Sequence, residues 1–148
     1  MKITIPGKKA SQWIERDHKI ISSSYPREYD FVIERGEGSV AWDVDGNKYI
    51  DFMSGIGVLS TGHCHPKVVE AIRKQAGEFL HVCGSDFYYR QQVELAEKLQ
   101  SIAPMKENVN VCFSNSGTEA VEAALKLARW HTGRKEFVGF YGAFHGRT

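Results

Sequence analysis

The sequence carries no excess of one charge: 19 Lys and Arg stand against 18 Asp and Glu, for a net charge of +1. So even a balance gives no electrostatic reason to expect nucleic acid or an anionic membrane as partner. No apolar run approaches the roughly 20 residues needed to cross a bilayer. The N-terminal Met1-Lys-Ile-Thr-Ile-Pro-Gly7 also lacks the apolar core of a secretory signal. Cysteine is scarce. Cys64, Cys83 and Cys112 are odd in number and scattered, which argues against a disulfide framework and fits reduced thiols in the cytoplasm. There is no internal repeat, no low-complexity tract and no G-x-x-x-x-G-K-[ST] phosphate loop. His63-Cys64-His65, with His81 and Cys83 further on, matches neither the C-x₂₋₄-C nor the H-x₃₋₅-H spacing of a zinc site, so no metal is expected.

What is present is concentrated between Val109 and Thr148. Val109 to Phe113 is a short apolar, β-branched run, the pattern of a buried strand. Ser114 to Thr118 follows with small or polar side chains only, and Glu119 stands three residues after Ser116, the spacing of a capping box. Val121, Ala124, Leu125 and Ala128 then line one helical face. Gly133 stops the helix and Glu136 to Phe140 reads as a second strand. Two strands joined this way are expected to lie parallel with a right-handed crossover. Both following turns, Ser114–Thr118 and Tyr141–Gly146, then open on one edge of the sheet, where ligands of open α/β sheets bind. The first turn ends at a helix N-terminus, whose dipole favours an anion by about 0.3–1 kcal/mol when exposed. Gly117 permits close approach, and Ser116 and Thr118 add hydroxyls. An ordinary capped helix accounts for the same residues, and both readings stand at this point.

Upstream, Lys8 to Ser23 is expected to be helical, with Trp13, Ile14, Ile20 and Ile21 as its apolar contacts. Phe31–Glu34, Ser39–Asp43 and Lys48–Phe52 alternate apolar and polar residues around Gly36-Glu37-Gly38 and Asp45-Gly46-Asn47, which predicts an antiparallel meander. Phe52–Pro66 is a glycine-rich loop. Pro66 suits the first position of a helix running to Leu80, and Gln91–Ile102 gives another, stopped by Pro104. A parallel sheet needs further strands and two covered faces, so these 148 residues are expected to be the front of a longer protein.

The run Phe113-Ser-Asn-Ser-Gly-Thr-Glu-Ala120, with Glu122, Ala123, Lys126, Ala128-Arg129, Thr132-Gly133-Arg134 and Phe144-His-Gly-Arg-Thr148, resembles the class III (ω-amino-acid type) aminotransferases. Asp43-Val-Asp-Gly46, Asp51-Phe52 and Gly62-His-Cys-His-Pro66 extend the likeness over nearly the whole chain. The resemblance implies an α/β protein of pyridoxal-phosphate-dependent transferase fold type I. Residues 1–57 would be the N-terminal segment of its small domain, and residues 58–148 the first βαβ of its large domain, truncated. It implies pyridoxal 5′-phosphate as cofactor, with the phosphate held at Ser116, Gly117 and Thr118, Phe144 stacked on the ring, and His145 beside it shaping the pocket. Gly142 and Gly146 would give that loop room to pass under the ring, and Ile56 would wall the substrate pocket. No position matches the family's Schiff-base lysine or the acid paired with the ring nitrogen, so no catalytic residue is expected in this chain. The implied partners are an amino acid, of the kind of 4-aminobutyrate or ornithine, and a 2-oxo acid. A homodimer is also implied, with Asp86, Tyr88 and Tyr89 near the neighbouring subunit. An amino-acid racemase on the same scaffold and a non-catalytic phosphate-binding module remain the alternatives.

Overall fold

Gly38 and Gly46, both left-handed with φ of 54° and 89°, turn the segment 33–50 back on itself twice. The result is a three-stranded antiparallel meander of β1 (Ile33–Glu37), β2 (Val40–Asp43) and β3 (Lys48–Ile50) in the order β1-β2-β3. The computed structural model describes residues 4–105 and 109–147, in two compact units that divide between His81 and Val82. In the first strand the sequence expectation shifts. Gly36 and Glu37 lie within β1 rather than in a turn, with a register irregularity between Ile33 and Arg35. Gly36 is small because His63 lies against it: a Cβ there would come within 2.5 Å of His63 Cγ.

Three aspartates organise this unit by occupying free backbone N–H groups. Asp43 is buried, at 6% exposure, and accepts hydrogen bonds from Asn47 N, Asn47 Nδ2 and Tyr49 Oη, each at 2.8 Å. The β2–β3 turn is thereby tied to one carboxylate. Asp45 caps α1 (Lys8–Ile20) from across the unit, accepting from Lys9 N at 2.8 Å and Ala10 N at 3.0 Å. Gly7, the residue before that helix, has no side chain to cap with, and a Cβ on it would lie 2.4 Å from Asp45 Cγ. The helix ends at Ile20, short of Ser23, where the Ser22 and Ser24 hydroxyls bond each other and offer the backbone a local alternative. Among the described residues Ala10 and Ala41 are the buried apolar ones, while Trp42 carries the Arg35 guanidinium 3.5 Å from its ring centroid.

The helices α3 (Pro66–Glu78), α4 (Arg90–Ile102) and α5 (Gly117–Thr132) fall where the periodicity places them, with Pro66 in the first turn of α3. Two expected strands do not form. Val109–Phe113 and Glu136–Phe140 belong to no ladder among the described residues. A strand is a property of a pair, and among the described residues neither segment has a neighbour supplying the complementary N–H and C=O row. Val138 and Phe140 are left almost wholly exposed. The Gln100 amide donates to the Val109 carbonyl at 2.8 Å. Apolar positions on the helices, Ile72, Leu95 and Leu127 among them, are likewise exposed.

Burial acts to raise the Asp43 carboxyl, but hydrogen bonds from Asn47 and Tyr49 outweigh it and hold it below the usual 3.8. Burial, joined by the bond to Asp43, pushes the Tyr49 phenol above 10.0. A depressed acid stabilises above its unfolded value and loses that contribution as pH falls through the folded one. A raised phenol stabilises below 10.0 and loses its contribution as pH rises through its folded value. Asp43→Ala, which strands the Tyr49 hydroxyl and the Asn47 amide, is expected to cost about 1–3 kcal/mol in urea unfolding at neutral pH. The gap to wild type should narrow as pH falls below 3.8; a gap independent of pH contradicts the role given to the charge.

Candidate functional site

The second unit holds the chemistry-bearing turns. Ser116, extended at φ −151° and ψ 160°, is the N-cap of α5 and accepts a hydrogen bond from Glu119 N through its hydroxyl at 3.2 Å. Glu119 Oε2 accepts from Asn115 N at 2.6 Å, one residue beyond the usual reciprocal partner, the N–H of the cap itself. The Ser116 carbonyl accepts from Ala120 N at 3.1 Å. Among the described residues no acceptor takes the N–H of Gly117 or Thr118. These are the first-turn donors that a helix leaves free. Gly117 itself is uncrowded: a Cβ built on it meets nothing within 4 Å.

The second turn comes to the first. Gly142, at φ 74°, lets residues 140–143 turn so that Ala143 N donates to the Phe140 carbonyl at 3.2 Å. The chain then runs through Phe144 and His145 to Gly146, which adopts φ 120° against Thr118. A Cβ on Gly146 would lie 2.7 Å from Thr118 Oγ1 and 2.9 Å from Thr118 Cγ2. The two turns therefore meet at the head of α5 without a sheet ladder between the segments that lead to them. Phe144, two residues before this contact, shows 81% of its surface, and His145 is also exposed. Thr148, the last residue of the quoted motif, lies outside the described residues. Lys126 pairs with Glu122 at 3.5 Å midway along α5, well away from the helix head.

Ile56 belongs to the first unit, in a conformation the sequence did not announce. The short element α2 (Ser54–Gly57) is left-handed throughout, with φ of 48°, 63°, 63° and 76° along the four residues. Left-handed backbone costs an L-residue about 1–2 kcal/mol, more for a β-branched side chain. Ile56 nonetheless holds it while 85% exposed. Asp51 supports the turn, accepting from Met53 N at 2.7 Å and Ser54 N at 2.9 Å through Oδ1 and meeting His63 Nε2 at 2.6 Å through Oδ2. The Ser54 amide first, and His63 after it, hold the Asp51 carboxyl below its usual range. A sequence clue existed in Asp51 standing two and three residues before those amides, as in an Asx turn. No group of three metal-binding side chains gathers among the described residues.

The geometry defines a class of site, an uncommitted helix N-terminus framed by a small-residue turn and a glycine-aromatic turn. The Aminotransferase class-III family model matches residues 22–148, and the chain belongs to that family. It is 52% identical over 137 residues to an acetylornithine aminotransferase of Archaeoglobus fulgidus, covering 92% of this chain and 35% of that protein. Against a probable 4-aminobutyrate aminotransferase of Bacillus subtilis the identity is 41% over the whole chain, which covers 34% of that protein. An isoleucine 2-epimerase of Lentilactobacillus buchneri is 40% identical over 141 residues, 95% of this chain and 31% of its own length. A solved transaminase with PLP bound superposes at TM-score 0.87 and 30% identity, over 98% of this chain and 34% of that one. The chain thus spans about a third of the length of the curated relatives it matches. The fold is that of the pyridoxal-phosphate-dependent transaminases.

Replacing Ile56 by glycine removes the left-handed penalty and loses little buried surface. Net of the extra freedom gained by the unfolded chain, Ile56→Gly is expected to stabilise the first unit by about 0.5–1 kcal/mol. Ile56→Ala, which keeps a Cβ, should gain less. Paired urea unfolding curves decide, and a destabilised glycine variant contradicts the strain.

Proposed function

We propose that this chain supplies the phosphate-binding part of a pyridoxal-phosphate-dependent aminotransferase, and that the polypeptide which completes the enzyme is longer. The observation that carries the reading is the head of α5, where among the described residues two N–H groups have no acceptor, Gly117 is uncrowded and Gly146 rests on Thr118. The residues fit a phosphate ester. Gly117 and Thr118 would donate backbone N–H groups to its oxygens, the Ser116 hydroxyl still has its proton to give, and the helix dipole favours the charge. Phe144 offers an exposed aromatic face for a planar ring, a contact worth about 0.5–1.5 kcal/mol beyond burial. His145 would shape the side of that pocket. When bound, the cofactor supplies an electron sink for the carbon that bears the amine. This chain's residues bind and orient it; the lysine and the acid that complete the chemistry are assigned to the remainder of the enzyme.

The donor proposed is an amino acid whose reacting amine lies at the far end of a chain from its carboxylate, with a 2-oxo acid as acceptor. The names acetylornithine, 4-aminobutyrate and 5-aminovalerate among the relatives share that feature. Ile56 is assigned to the substrate wall, since an exposed apolar residue held under strain fits a contact surface better than a core. Residues 1–57 are assigned to the small domain and residues 58–148 to the large one. The uncovered apolar positions on α3 to α5 suit further polypeptide and a second subunit of a homodimer in the cytoplasm. No helix among the described residues is long and apolar enough to cross a membrane. Racemisation is the second reading, favoured by the likeness to the isoleucine epimerase.

Two glycine variants test the cradle. Gly117→Ala puts a Cβ where nothing lies within 4 Å and should leave folding unchanged, yet its methyl crowds the close approach proposed for the phosphate. Gly146→Ala collides with Thr118 and should part the two turns. In equilibrium titrations with pyridoxal 5′-phosphate, each is expected to weaken binding at least about tenfold, the equivalent of about 1.4 kcal/mol. Unchanged affinity in Gly117→Ala contradicts the site. In the complete enzyme, conversion of 4-aminobutyrate or acetylornithine to its oxo product supports transfer, whereas inversion of an amino acid without amine loss supports the epimerase reading.

A further inference from the structure

The left-handed turn Ser54–Gly57 is too costly to persist by itself and is not held by burial, since Met53, Ile56 and Val58 are all exposed. Hydrogen bonds must hold it, and they can be followed to their anchor. Gly57 N donates to the Met53 carbonyl, and Val58 N and Leu59 N both donate to the Ser54 carbonyl, each at 3.0 Å. The Ser54 hydroxyl donates to the Leu59 carbonyl at 3.0 Å. Asp51 then fixes the entry, one oxygen taking Met53 N and Ser54 N and the other taking His63 Nε2 at 2.6 Å. Asp51 and His63 are both largely shielded, with 15% and 20% of their side chains exposed.

Each partner of that pair is itself tied to the meander. Asp51 N donates to the Ser39 carbonyl at 2.9 Å. His63 exchanges two backbone hydrogen bonds with Gly38, at 3.0 Å and 2.8 Å, and its ring lies where Gly36 has no Cβ. Gly62 passes close enough to Gly38 that a Cβ would lie 2.9 Å from its Cα. An unbroken path of short contacts therefore runs from the rigid hairpin through His63 and Asp51 to the exposed Ile56. We infer that Asp51 and His63 are positioning residues for substrate: their pair latches the left-handed turn to the hairpin and so fixes where Ile56 stands. This rests on the assignment of Ile56 to the substrate wall.

The test uses His63→Leu, which removes the donor, His63→Gln, which restores a side-chain N–H, and Asp51→Asn, which keeps an acceptor for the turn but loses the charged link. Amide hydrogen exchange on the full chain should rise at least tenfold at Gly57, Val58 and Leu59 in His63→Leu and Asp51→Asn. Exchange in β1 and β2 should stay unchanged, and His63→Gln should return toward wild type. In the holoenzyme, KM for whichever of 4-aminobutyrate and acetylornithine is converted should rise at least fivefold in His63→Leu with kcat near wild type. His63→Gln should recover it. Unchanged exchange at the turn overturns the latch. Faster exchange with unchanged KM leaves a purely structural pair and overturns the positioning role. Should His63→Leu unfold the meander, Asp51→Asn decides by the same two measurements. A wild-type holoenzyme that transfers no amine removes the aminotransferase reading, while the exchange data still decide whether the latch exists.

Discussion

Everything proposed for the second unit depends on one van der Waals contact, Gly146 against Thr118. Without it, the head of α5 is an ordinary capped helix end, with two free N–H groups as any helix has. With it, a second turn that carries an aromatic residue is pinned to the same spot. The contact is possible only because residue 146 has no Cβ and accepts a φ of 120°. Ser116 contributes from the other side by fixing where the helix begins, so that Gly117 and Thr118 are the residues left with uncommitted donors. A side chain at the cap and a missing side chain at the turn together make a place for an anion.

The first unit solves a related problem with carboxylates. Asp43, Asp45 and Asp51 each satisfy free N–H groups, at the β2–β3 turn, at the start of α1 and at the start of α2. Few apolar side chains are buried there, Ala10 and Ala41 alone among the described residues. Local hydrogen bonding by acidic groups therefore carries much of the order. The glycines that accompany them answer to space as much as to backbone freedom: Gly7 admits Asp45, and Gly36 admits the His63 ring.

The sequence made α3 and α5 legible because each carries a local signal: the three-residue spacing from Ser116 to Glu119 and Gly133 at a left-handed C-cap for α5, Pro66 in the first turn for α3. The meander was legible too, although the glycine cluster at 36–38 misplaced its first turn, since a glycine can serve a neighbour's ring as well as a bend. Val109–Phe113 and Glu136–Phe140 read as strands from their apolar β-branched pattern, but pattern encodes a face and cannot supply a partner. Long-range caps were hidden for a similar reason. Asp45 capping α1 joins residues more than thirty positions apart, and nothing local at Gly7 announces it. Ile56 was named from family likeness alone; its left-handed backbone runs against the preference of a β-branched residue and so could not be read from propensity. Such a local contradiction is where function is to be sought.

The most direct test of the account is a titration of the isotopically labelled chain with pyridoxal 5′-phosphate, followed residue by residue in its amide spectrum. The account predicts saturable shifts at Gly117 and Thr118, accompanied by Gly146 across the contact. Saturable binding that leaves those three amides unmoved would contradict it.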